Sequence, residues 1–194
     1  MKKLMIAATM AAALAVPSLA SAAPVSNTTC NNATADYDWA ETNVLPAKIV
    51  GNLTVPDGGL CRLHGNEITG NISVGKGATL HVFGMTADNN VSVDGGSFVA
   101  SNWGVTIGGN LSILNAAPYT QSGFWGNYSS NEVKGNVSFT LDGTVTYPDS
   151  GWPSLYAGGG VTVDKNLTYS VGGLSSVRPF DASGWNVIGH ITTS

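Results

Sequence analysis

The chain has 194 residues, 25 of them Gly and a tenth of them charged, and 12 acids against 8 bases give a net charge of −4. Charge this sparse, with acids in excess, excludes the basic face that nucleic acid or anionic lipid requires. What is left is a neutral surface rich in hydroxyls and amides, suited to neutral glycans or to packing against another copy.

In chain order, residues 1–22 read as a secretory signal. Lys2 and Lys3 form the charged start, Leu4 to Leu19 a short apolar run broken by Pro17, and Ala20-Ser21-Ala22 the small residues before a cleavage point. The run is too short for a membrane anchor, and no later stretch is long and apolar enough to span a bilayer. Loss of the two lysines leaves six bases against twelve acids, a net charge of −6. Export to the periplasm or beyond favours pairing of the two cysteines, Cys30 and Cys61.

Residues 23–48 read as an N-terminal capping segment, and residues 49–194 as one all-β domain built from a repeat. Gly51-Asn52-Leu53-Thr54-Val55 recurs five more times, with the shared Asn at 52, 71, 90, 110, 136 and 166. Steps of 19, 19, 20, 26 and 30 residues between strand-forming phrases predict a parallel β-helix of six to seven coils. With strands about 4.8 Å apart, such a stack makes a rod near 30 Å long. Each coil reads as strand, corner, strand, corner. Leu53, Ile72 and Val91 form one inward column, and Val55, Val74 and Val93 another. Aligning the first three repeats adds Cys61, Leu80 and Val99 as an inward column, with Arg62, His81 and Ala100 facing water.

The residue before each Asn is Gly at 51, 70, 109 and 135, Asn at 89 and Lys at 165. Gly and Asn tolerate positive φ, which predicts a left-handed corner that is looser at Lys165. The six asparagines, Asn52, Asn71, Asn90, Asn110, Asn136 and Asn166, can pair amide to amide up the stack as a ladder. All six also spell Asn-x-Ser/Thr, the N-glycosylation acceptor. The ladder is the preferred reading, because a repeat of this wording generates every acceptor signal by itself.

The period stretches at 114–132 and 142–160, which predicts two insertions. They carry Tyr119, Phe124, Trp125 and Tyr128, then Tyr147, Trp152 and Tyr156. Two readings stand side by side. Trp125, Tyr128, Trp152 and Tyr156 form a sugar-stacking surface on one side of the rod, or the aromatics fold back as a local core. A faint last coil, Val187-Ile188-Gly189-His190-Ile191-Thr192, has His for Asn and no evident cap, which suggests self-association through that coil.

Catalytic and cofactor signatures are missing. His64, His81 and His190 fall in unrelated parts of the repeat, no metal-ligand spacing appears, and Gly158-Gly159-Gly160 lacks the Lys-Ser/Thr of a phosphate loop. Asp88 and Asp94, the nearest acidic pair, fall at opposite ends of one strand. No catalytic residue, metal or cofactor is assigned.

From about residue 49 to 113, the repeated Gly-Asn-[Leu/Ile/Val]-[Ser/Thr]-Val phrase and Gly77-Ala78-Thr79-Leu80 resemble bacterial right-handed β-helix proteins of the polymer-forming, bactofilin-like kind. Bactofilins are cytoplasmic scaffolds without a cleaved leader, so the likeness implies architecture. The expected function is a secreted or periplasmic structural or binding module, self-assembling or adhesive at the cell surface or in the extracellular matrix. The alternative is a protein that binds or processes neutral glycans through the aromatic insertions. A lesser one is ice binding by the column Thr54, Ser73, Ser92, Ser112, Ser138 and Thr168.

Overall fold

The computed structural model describes residues 25–31, 45–101, 104–118, 120–125, 130–145, 147, 153–158, 160–172 and 180–194. These form seventeen strands and no helix, wound as one parallel sheet closed on itself into a β-helix. β1 (Val25–Thr29) lies in parallel on β2 (Lys48–Val55), and the first full turn is closed by β3 (Leu60–Ile68). β4 (Ile72–Val74) and β5 (Thr79–Ala87) make the next coil. β6 (Val91–Asp94), β7 (Ser97–Ser101) and β8 (Val105–Ile107) make the one after it. β9 (Leu111–Leu114), β10 (Gln121–Trp125) and β11 (Asn131–Val133) follow, then β12 (Val137–Thr140), β13 (Ser154–Ala157) and β14 (Val161–Val163). β15 (Leu167–Ser170), β16 (Trp185–Val187) and β17 (Ile191–Thr193) end the stack.

The coil has three sides where the repeat suggested two. β3 and β5 bend at Gly65 (φ 68°) and Gly84 (φ 72°), so each long strand supplies two sides of a triangle. From the third coil on, separate strands occupy those sides: β7, β10 and β13 on the second, β8, β11, β14 and β16 on the third. The first side is the repeated phrase itself, stacked from β2 through β4, β6, β9, β12 and β15 to β17. Gly58, Gly77 and Gly95 (φ 66–68°) turn the chain left-handed at the corner after it, as a Gly-rich corner requires.

Alternation places Leu53, Ile72, Val91, Leu111, Val137 and Leu167 in one buried column. The neighbouring column runs Val55, Val74, Val93, Ile113, Phe139 and Tyr169. Its side chains grow where the corners lengthen, so larger residues fill a wider coil. Phe139 and Tyr169 stack there at 5.2 Å. No coil could bury these faces alone; stacking joins them into one core.

The inward column of the second side differs from the sequence alignment by one residue in the third coil. The register pairs Leu80 with Phe98 and His81 with Val99. Val93 to Phe98 spans one residue fewer than Val74 to Leu80, because that corner is shorter. The column is therefore Cys61, Leu80 and Phe98, all fully buried, and Val99 faces outward. Ala100, expected in water, is buried behind it at 2 % exposure.

Both stretched segments keep coil strands. β10 and β13 continue the second side, and β11 begins the third within 114–132, so each stretched segment contributes to the coil itself. Cys30, just after β1, is disulfide-bonded to Cys61 at the head of the second side (Cα–Cα 5.4 Å).

Candidate functional site

Two outward features merit description: the ladder at the third corner and the aromatic face of the second side. In the ladder, each Asn Oδ1 accepts the backbone N–H of the residue one coil later. Asn71 donates to Asn52 (2.8 Å), Asn90 to Asn71 (3.3 Å), Asn110 to Asn90 (2.9 Å), Asn136 to Asn110 (2.8 Å) and Asn166 to Asn136 (3.2 Å). From Asn90 onward the Nδ2 of each Asn also donates to the Oδ1 below, at 3.0–3.4 Å. The ladder runs beyond the six repeats: Asn27 Oδ1 accepts from Asn52 N–H (2.9 Å), and His190 N–H donates to Asn166 Oδ1 (3.0 Å). Amides engaged in this way tie each coil to the next.

Three of the four glycines before these asparagines have a different reason from the expected one. Of Gly51, Gly70, Gly109 and Gly135, Gly51 alone has positive φ (111°). At Gly70 a Cβ would lie 2.3 Å from the Gly51 carbonyl oxygen and 2.6 Å from Asn52 Oδ1; at Gly135 the nearest atom would be Gly109 O at 2.5 Å. At Gly70, Gly109 and Gly135 the demand for glycine is the close approach of successive coils; at Gly51 the expected positive φ is found as well. The two rungs that follow a non-glycine, at Asn90 after Asn89 and Asn166 after Lys165, are the two longest backbone rungs of the ladder. A Cβ in that position holds the corner slightly open.

Beside the ladder runs one uninterrupted column of hydroxyls: Thr29, Thr54, Ser73, Ser92, Ser112, Ser138, Thr168 and Thr192. A second column, Thr140, Ser170 and Ser194, accompanies it on the last three coils. Ser138 donates to Ser112 (3.1 Å) and Ser194 to Ser170 (3.0 Å), so part of this hydroxyl surface is engaged with itself.

On the second side the outward positions form two aromatic-rich columns. One carries Arg62, His81, Val99, Gly123 and Tyr156; the next carries His64, Phe83, Ser101 and Trp125. His81, expected in solvent, is 9 % exposed; its ring lies 4.3 Å from that of Phe83, and its Nε2 meets Ser101 Oγ at 2.9 Å. Burial, with help from the Arg62 cation, lowers its pKa to about 4, so it is neutral at physiological pH. His64 joins the same cluster through Phe83 (5.6 Å). That proximity is invisible in the chain, because one coil separates residues that the register places side by side.

The aromatics of the stretched segments divide between the two readings. Phe124 is fully buried and meets Phe98 (5.6 Å) and Trp185 (5.9 Å) edge to face. Tyr147 folds back over the coil, 6 % exposed, and its hydroxyl donates to Ala116 O (3.0 Å). Its hydroxyl pKa is pushed up to about 12 by burial and the nearby Asp142 charge. Trp125 and Tyr156 face outward instead, their ring centroids 4.6 Å apart at a 41° tilt, with Tyr156 39 % exposed. Tyr128 and Trp152 lie outside the described residues.

The acidic pair singled out in the sequence, Asp88 and Asp94, is not brought together. Asp94 closes β6, and Asp88 stands at the corner before it, with the whole strand between them. Among the described residues no group of three His, Cys, Asp or Glu is close enough to hold a metal ion, and no helix is long and apolar enough to cross a membrane. No family model, characterised protein or solved structure matches the chain.

Proposed function

We propose that the chain is an exported structural module that associates through the last coil of its β-helix, at the cell surface or in the extracellular matrix. The observation that carries this reading is the state of that coil. β17 pairs with β15 on one side only among the described residues, and Ile188 and Ile191 are 68 % and 43 % exposed. An edge strand with free backbone groups beside exposed isoleucines is a template for another strand. A second copy is the partner that continues the columns. β1, at the other end, belongs to the same ladder and the same hydroxyl column, and its Asn27 and Thr29 are exposed.

Export is supported by the leader-like residues 1–22 and by the Cys30–Cys61 disulfide, a bond that oxidising compartments preserve. The bactofilin-like wording of the repeat favours the same reading at the level of architecture. Light scattering on the mature protein over a range of concentrations tests it. The expected result is a mass that rises with concentration, and Ile188→Glu returns it to that of the monomer. Wild-type protein that stays monomeric throughout defeats the reading.

A further inference from the structure

We propose that the outward face of the second side, centred on Trp125 and Tyr156, binds a neutral polysaccharide. This goes beyond self-association and uses a different surface. Three observations carry it. The first is the pairing of Trp125 and Tyr156, two outward rings in contact on one long face of the rod, Tyr156 exposed and Trp125 partly so, whereas Phe98, Phe124, Phe139 and Tyr169 are packed inward. An outward aromatic pair on an exported surface calls for a ligand with a flat apolar face.

The second is Gly123. It stands between Val99 and Tyr156 in the outward column, with φ 133°, and a Cβ there would lie 2.0 Å from the Tyr156 carbonyl oxygen. The column therefore carries a buried position without a side chain, and the rings of Trp125 and Tyr156 meet beside it.

The third is charge. Among the described outward positions of this side, from Leu60 to Gly158, Arg62 alone carries a formal charge, and it lies in the first coil, away from the rings. His81 is neutral, and no carboxylate is present. Such a face selects against anionic and cationic partners alike. A pyranose ring suits it: one face of C–H groups to lie on Trp125 or Tyr156, and rim hydroxyls to meet Ser101 and Gln121, which stand on the adjoining columns. Because coils repeat at about 4.8 Å, a linear chain laid along the rod meets equivalent backbone positions at regular intervals.

Affinity electrophoresis of the mature protein tests this in native gels cast with galactomannan, hydroxyethylcellulose or anionic alginate. The expected result is retardation by at least one neutral polymer and none by alginate. Binding is about tenfold weaker in Trp125→Ala and in Tyr156→Ala, and Trp125→Phe keeps most of it. Circular dichroism and the urea midpoint show that each variant is folded. Should Trp125→Ala unfold, the more exposed Tyr156→Ala with Trp125→Phe decides the matter. No retardation in either neutral polymer overturns the proposal, and so does retardation that both alanine variants leave intact or that alginate reproduces.

Discussion

At the scale of single residues, a few atoms decide whether successive coils can stack. Asn110 Oδ1 accepts two hydrogen bonds from Asn136, and its own Nδ2 donates to Asn90. Asn110→Ala leaves the Asn136 N–H without its acceptor and lowers stability by about 1–3 kcal/mol, read as a fall in the urea midpoint. Gly135→Ala forces a Cβ against Gly109 O and costs a similar ~1–3 kcal/mol by overpacking. His81 gives a pH signature. Its pKa of about 4 in the fold lies below the unfolded value near 6.5, so between these limits the unfolded chain holds the extra proton. Stability is therefore full above about pH 6.5 and declines as pH falls toward 4. Urea midpoints measured across that range are expected to drop for the wild type and to drop less for His81→Gln; parallel curves for the two proteins refute the assignment.

At the scale of elements, the disulfide fixes β1 to the stack. Cys30 and Cys61 are separated by 31 residues, and closing a loop of that size is worth about 3–4 kcal/mol in the chain-entropy model. Cys30→Ser with Cys61→Ser is expected to lose an amount of that order in chemical denaturation. Because the bond also holds the strand that contributes Asn27 to the ladder, backbone amides of β2 should exchange faster with solvent. The strands of the first side were legible in the sequence, since their period of about 20 and their inward apolar residues are both written in the repeat. The third side was not. It is three residues long in most coils, and its entry is marked by single glycines, Gly65 and Gly84, inside what reads as one strand. The shift at Phe98 was hidden for a related reason: a corner shorter by one residue leaves an apolar residue at either of two neighbouring positions. The pairing of Trp125 with Tyr156 was half legible. Both residues stood out, yet the register that makes them neighbours depends on corner lengths that composition does not reveal.

At the scale of the whole molecule, the β-helix is a rod with three unlike long faces and two unlike ends. The first side offers hydroxyls beside the amide ladder, the second an aromatic face of low charge, and the third a narrow strip that includes Thr86, Thr106 and Thr162. The eight stacked strands of the first side give it a length of about 35 Å. At one end β1 is clamped by the disulfide; at the other β17 leaves Ile188 and Ile191 in solvent. Both ends carry the same hydroxyl column and ladder, as the proposed stacking of copies requires, and that stacking leaves the sides uncovered. Mass by light scattering, followed from low to high concentration on the mature chain and on Ile188→Glu, tests that claim most directly. Wild-type assemblies are expected to grow with concentration while the variant remains one chain in mass. A wild-type mass fixed at one chain, or growth that the variant shares in full, contradicts it.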